Sequence, residues 1–138
     1  SELPVKIQER LYKVEQATQE FDEFTVGLAL NYGSRTEVVD AVKAITQAVQ
    51  EGKLELNELD YDIFSQYLYT NDMPDPDLII RTSGECRLSN FLLLQSAYSE
   101  IYLSDVLWPD FDQAEFSAAL KAYASRERRF GKTAEQLT

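Results

Sequence analysis

The sequence predicts an α/β fold, a partial parallel sheet flanked by helices. Three observations carry that expectation. Segments with apolar residues at helical spacing alternate with short, continuously apolar runs. Those runs, Thr25–Leu30, Leu78–Ile80 and Ile101–Leu103, have the composition of strands covered on both faces, which is the environment of a parallel sheet. Helical and strand patterns then take turns along the whole chain, as in βαβ units.

The first expected element is a helix over Pro4–Phe21, where Ile7, Leu11 and Val14 recur with charged residues between them. Thr25–Leu30 reads as a buried strand that Asn31-Tyr32-Gly33 ends in a turn. Ser34 and Glu37 have capping-box spacing, in which each side chain satisfies a free backbone N–H at a helix start. The helix that follows places Val38, Val42, Ile45 and Val49 on one face and stops at Gly52. A more aromatic helix covers Asn57–Thr70, with Leu59, Phe64 and Tyr67 as core candidates. Asn71–Asp77, rich in proline and aspartate, is loop.

Leu78–Ile80 is a strand that runs straight into Arg81. Ser89 is an N-cap for an apolar helix over Asn90–Tyr98, and Ile101–Leu103 is a third strand. Pro109 and Asp110 turn the chain into a last helix, which opens at Asp112 and faces Phe116, Leu120 and Tyr123 inward. Arg126, Arg128 and Arg129 load its C-terminal end, where the helix dipole favours positive charge. Three strands make a thin sheet with exposed edges, so more chain or a second copy is expected to pair with them.

A length of 138 residues fits a single domain over 1–138, and 44% hydrophobic residues suffice for an ordinary core. The net charge of −11 argues against a nucleic-acid partner, because a polyanion binds a basic surface. The charge is uneven. Glu51–Asp77 carries eight acidic residues against Lys53 alone, whereas five of the seven arginines follow Leu78. A cationic site inside an acidic chain suits a small anionic ligand. The single cysteine, Cys86, allows no intrachain disulfide and fits a reducing, cytoplasmic compartment. The lack of histidine removes the usual general base and the commonest zinc ligand. No apolar run approaches the ~20 residues of a membrane span.

The chemistry concentrates in Asp77–Asn90, DLIIRTSGECRLSN. A strand delivers Arg81 to its C-terminal end, the edge of a parallel sheet where ligands bind. Gly84 lets the backbone turn tightly, Arg87 adds a second guanidinium, and Ser89 is expected at a helix start, whose free N–H groups attract anions. Two forked cations, several hydroxyls and a helix N-terminus suit a diphosphate. The competing reading is structural: Arg81 pairs with nearby aspartates and Ser89 only caps. Arg126-Glu127-Arg128-Arg129-Phe130-Gly131 reads by itself as a helix end that complements the dipole. Asn31–Arg35 is a capping turn that leaves Arg35 over, and Trp108–Phe111 is a turn whose aromatics pack. Glu85 and Glu100 are the acidic candidates for Mg2+, which takes few carboxylates plus phosphate oxygens.

Taken together, the first helix, LNYGSR, DLIIRTSGECRLSNFLLLQSAYSEIYLSDVLWPDF and RERRFG resemble the cis-prenyltransferase family, the undecaprenyl diphosphate synthase type, in order and over almost the whole chain. The resemblance implies that Arg81, Arg87, Leu88 and Ser89 hold the diphosphate of isopentenyl diphosphate. It implies that Glu100 is a Mg2+ ligand. It also implies that Arg129 and Gly131, in an R-x-G motif, reach an active site across a homodimer interface. The implied reaction adds isopentenyl units to an allylic diphosphate with cis double bonds, and its lipid product implies peripheral contact with a membrane. The family's aspartate-glycine-asparagine motif has no match in Ser1–Asp22, so no catalytic residue is expected in this chain. The chain is expected to be the C-terminal portion, inactive alone. Ser83 stands where many relatives have glycine, and it is expected to be tolerated at negative φ. The alternatives are a non-catalytic partner subunit of a heteromeric enzyme and an unrelated phosphate-binding α/β module, for example a nucleotide sensor.

Overall fold

The computed structural model of the protein describes residues 3–126, in two compact units divided between Gly33 and Ser34. In the first unit, helix α1 spans Val5–Thr18. Pro4 starts it, since its fixed φ of −54° needs no N–H donor, and its carbonyl accepts from Ile7 N and Gln8 N. The apolar stripe expected on α1 is not buried: Ile7 and Val14 are both exposed. Thr25–Leu30 is a correction. The run joins no ladder and ends in a turn at Leu30, and Val26 and Leu28 are exposed. An apolar sequence becomes a strand only where a neighbour takes its N–H and C=O groups.

The second unit opens with α2, Ser34–Gln50. It ends in a Schellman motif, with Gly52 at φ +67°, Lys53 N donating to Ala48 O and Gly52 N to Val49 O. Its buried face is Ser34, Glu37, Ala41, Ile45 and Ala48, rotated from the expected one, and Val42 is half out in solvent. The expected helix over Asn57–Thr70 shrinks to a 3-10 turn, Leu56–Glu58, and to α3, Tyr61–Ser65. Asp60 caps α3 by accepting from Ile63 N at 2.8 Å. Leu68, rather than the three expected residues, is its fully buried neighbour.

Strands β1, Leu78–Arg81, and β2, Glu100–Leu103, pair in parallel with Leu78 opposite Glu100 and Arg81 opposite Leu103. Helix α4, Gln113–Ala124, packs on β2. Asp112 caps it through Ala114 N and Glu115 N, as expected. Its buried residue is Ala119, and Phe116 and Leu120 point outward, against expectation. A residue as small as alanine at the contact lets the helix lie close to the strand, and the large side chains flank it. The core of this unit is Ala41, Ile45, Ala48, Leu68, Ile79 and Ala119. Burying a side chain the size of Ile45 or Leu68 contributes roughly 1.5–3 kcal/mol.

The largest correction concerns Asn90–Tyr98. It is a succession of turns, not a helix. Ser89, Asn90 and Leu92 have φ of +49°, +66° and +45°, which an α-helix excludes. Ser89 is therefore no N-cap.

Candidate functional site

Arg81 ends β1, and its carbonyl accepts from Ser104 N at 2.8 Å. Its side chain is half-buried and enters no ion pair among the described residues. Arg81 Nε is fully buried with no hydrogen-bond partner among the described residues. Among the described residues, Gln95 Oε1 and Ser96 Oγ are also buried without partners, on adjacent positions. A buried donor left unpaired costs about 1–3 kcal/mol. The structural alternative for Arg81, pairing with an aspartate, is thus not what the fold does with it.

Beyond Thr82, Ser83 and Gly84 take left-handed conformations in succession, φ +67° and +64°. Ser83 therefore lacks the negative φ on which its ready tolerance is conditional. The turn is pinned from outside: Ser83 N donates to Val106 O at 2.9 Å and Gly84 N to Ser104 O at 3.0 Å. These N–H groups are spent on the loop after β2. Glycine at 84 also gives clearance, because a Cβ there would stand 3.2 Å from Asp105 Oδ1. Ser104 Oγ is in turn bonded to Glu115 Oε2 at 3.1 Å, so α4 braces the turn.

Arg87 is exposed and paired with Glu85. An exposed pair is worth about 0–1 kcal/mol, so a diphosphate would displace Glu85 at little cost. Leu88 is half-buried and accepts Phe91 N at its carbonyl, and Ser89 is exposed with its hydroxyl unengaged among the described residues. Arg81, Arg87 and Ser89 therefore share one irregular segment at the C-terminal end of β1, with hydrogen-bonding capacity unspent on Arg81 and Ser89. The helix N-terminus expected at Ser89 is absent from it.

Glu100 lies elsewhere. It opens β2, level with Leu78, so about 10 Å of strand separates it from the level of Arg81. Its carboxylate is paired with Arg126 Nη1 at 2.7 Å, and the same nitrogen donates to Ile101 O at 2.9 Å. Arg126 thereby ties the end of α4 to the start of β2, a role its place in a basic run concealed. No cluster of three or more metal-ligating side chains occurs among the described residues. Mg2+ takes one or two carboxylates and completes its octahedron with water and phosphate oxygens. Glu100 fits as one such ligand and no more. Arg129 and Gly131 lie outside the described residues.

Sequence reasoning missed what holds this segment in place. Glu37 is completely buried, and its carboxylate accepts from Tyr69 N at 2.9 Å and from Gln95 Nε2 at 3.1 and 3.2 Å. Gln95 Nε2 also reaches Thr70 Oγ1 at 3.0 Å. Ser34 Oγ accepts from Leu93 N at 3.2 Å. The Ser34–Glu37 pair, expected to cap its own helix, thus works at long range. A glutamate at helix position three looks identical in sequence whether it turns back on its own backbone or inward. Beside this contact, Ser34, Arg35, Val38, Leu93 and Leu94 line a cavity of about 240 Å³. Trp108 stacks on Phe111 with ring centroids 6.1 Å apart, though Trp108 stays exposed. No helix among the described residues is long and apolar enough to cross a membrane.

Comparison with known proteins agrees with the motifs. A family described as "Putative undecaprenyl diphosphate synthase" matches residues 1–131. The chain is 55% identical over 129 residues to an isoprenyl transferase of Fusobacterium nucleatum, covering 94% of this chain and 53% of that protein. It is 50% identical over 130 residues to the tritrans,polycis-undecaprenyl-diphosphate synthase (geranylgeranyl-diphosphate specific) of Thermoplasma acidophilum, covering 94% and 50%. Among solved structures, lavandulyl diphosphate synthase from Lavandula x intermedia, in complex with dimethylallyl diphosphate, superposes with a TM-score of 0.92 at 38% identity over 95% of this chain and 56% of that one. The chain spans about half the length of the curated relatives it matches.

Proposed function

This chain belongs to the undecaprenyl diphosphate synthase family of cis-prenyltransferases, and we propose from that membership that it supplies the isopentenyl-diphosphate site of a polyprenyl diphosphate synthase. The observation that carries the proposal is Arg81: among the described residues its buried Nε has no hydrogen-bond partner and its guanidinium no ion pair, at the C-terminal end of a parallel strand. Such a guanidinium suits an anion with several oxygens, because its fork matches phosphate and folding has already desolvated its Nε. Arg87, once released from Glu85, adds a second fork, and Ser89 and the backbone beside Leu88 complete the hold on the diphosphate.

The division of labour follows from this chemistry. The residues of this chain bind and orient isopentenyl diphosphate. The allylic diphosphate and the catalytic aspartate are assigned to protein beyond these residues. Arg129 and Gly131 are assigned to the site of a second copy, in a homodimer. Mg2+ would neutralise charge on the departing diphosphate. Glu100 is proposed as one of its ligands, on the condition that Arg126 releases it. The product, a long apolar chain on a diphosphate, brings the protein against a membrane surface from the cytoplasm.

The test fuses this chain to the half of the Fusobacterium nucleatum isoprenyl transferase that it does not cover. Incorporation of labelled isopentenyl units into lipid is measured with an allylic diphosphate and Mg2+. The fusion is expected to elongate and the chain alone is not. An inactive fusion, where the intact relative works, overturns the enzyme reading in favour of a non-catalytic partner subunit. Turnover by the chain alone overturns the placement of the aspartate.

A further inference from the structure

The segment that follows Arg87 has an unusual backbone. Ser89, Asn90 and Leu92 all have positive φ, and Leu92 is a γ-branched residue with no local hydrogen-bonding excuse for it. Left-handed conformations at non-glycine residues persist where surrounding contacts over-determine them. Those contacts come from the first turn of α2. Ser34 N donates to Asn90 O at 2.9 Å, and Arg35 N donates to Asn90 Oδ1 at 3.0 Å. One asparagine therefore satisfies two N–H groups at the start of a helix 55 residues earlier in sequence. Ser34 Oγ takes Leu93 N, and the Glu37–Gln95 contact closes the same seam one turn further along.

We propose that Asn90 is a positioning residue for diphosphate binding: by capping α2 from a distance, it holds Arg87, Leu88 and Ser89 in the conformation that receives the ligand. The proposal rests on the isopentenyl-diphosphate reading of Arg81 and Arg87. Asparagine suits the post for two reasons. Its short amide tolerates φ near +60°, and its side-chain oxygen is a strong acceptor for the free N–H groups of a helix start. The left-handed turn aims the side chain and the carbonyl of one residue at two consecutive N–H groups. Without the side-chain acceptor, the seam keeps only the carbonyl, and the loop bearing Arg87 gains freedom that binding must then remove.

Three variants test this. Asn90→Gly keeps the left-handed backbone and deletes the acceptor. Asn90→Asp keeps the acceptor at a helix end that favours negative charge, and Asn90→Ser keeps a shorter one. Amide hydrogen exchange without ligand is read first. In Asn90→Gly, the amides of Arg35 and of the stretch from Leu88 to Ser96 are expected to lose protection, while those in the middle of α2 keep theirs. In Asn90→Asp, protection is expected to persist. Calorimetry with isopentenyl diphosphate then expects affinity to fall about tenfold in Asn90→Gly, with Asn90→Ser between it and the native chain. Native affinity in both Asn90→Gly and Asn90→Ser overturns the positioning role, as does unchanged exchange of Arg35 in Asn90→Gly. A native chain that fails to bind isopentenyl diphosphate, with its exchange pattern as expected, sinks the substrate assignment and leaves Asn90 as a purely structural cap.

Discussion

Gln95 Nε2 bridges both carboxylate oxygens of Glu37, at 3.1 and 3.2 Å, in a contact where each residue is at most 2% exposed. It joins α2 to the turns that follow the Arg81–Ser89 segment. Burying a carboxylate is costly unless hydrogen bonds replace its water, so this pair decides whether the seam closes. Gln95→Leu keeps the volume and removes the donor. It is expected to lower unfolding free energy by about 1–3 kcal/mol, read as a lower urea midpoint. A midpoint that does not move would show that Tyr69 N and water suffice for Glu37.

Ser83 carries strain that glycine would not. At φ +67° an L-residue pays a left-handed penalty, and the side chain is exposed. Ser83→Gly is expected to stabilise the chain by about 0.5–1 kcal/mol, the relief of strain less the added entropy of the unfolded glycine. Ser83→Ala keeps the strain and is expected to give no gain. Equal melting temperatures for the glycine and alanine variants would remove backbone strain as the cause. Gly84→Ala should do the reverse, since it meets both φ +64° and Asp105 Oδ1.

Arg87→Ala is expected to weaken isopentenyl diphosphate binding by roughly 2–3 kcal/mol, through loss of a charge-assisted pair. Stability should hardly change, because the Glu85 partner is at the surface. Titration calorimetry against the native chain decides it, and native affinity in the variant takes Arg87 out of the site.

A pH response is expected away from the site. Tyr69 donates its phenol O–H to Asp40 Oδ2 at 2.6 Å. That bond first, and Lys43 second, hold the Asp40 carboxyl below its ordinary value of 3.8, while the same bond holds the Tyr69 phenol above 10.0. A lowered carboxyl stabilises the fold above its ordinary range, and that contribution is lost as pH falls through the lowered value. A raised phenol stabilises below its ordinary range, and that contribution is lost as pH rises through the raised value. Tyr69→Phe should return the Asp40 titration, followed by carboxyl NMR, toward 3.8. An Asp40 titration that stays put would assign the shift to Lys43.

Much of the α/β pattern was legible in the chain because it depends on local chemistry. Helices α1, α2 and α4 follow from apolar spacing and from residues that end or cap them, such as Pro4, Gly52 and Asp112. Strands β1 and β2 follow from apolar runs at the right distance from turns. The DLIIRTSGECRLSN motif marked the segment proposed for the diphosphate, since a strand ending in arginine and a small-residue turn is a local statement. Thr25–Leu30 and Asn90–Tyr98 were not legible. An apolar run does not say whether a neighbour will pair with it, and Asn90–Tyr98 has a helix former's composition.

The family, the strand that carries Arg81 and the arginines proposed for a diphosphate follow from the chain alone, because side-chain chemistry and short-range spacing belong to it. Long-range packing settled how that chemistry is presented. It left Arg81 Nε without a partner among the described residues, set Glu100 at the other end of the ladder under Arg126, and turned Glu37 inward to Gln95. It also unwound the expected helix after Ser89, where Asn90 instead accepts from the N–H groups of Ser34 and Arg35. A contact between residues 55 positions apart is a property of the fold, and no local rule states it.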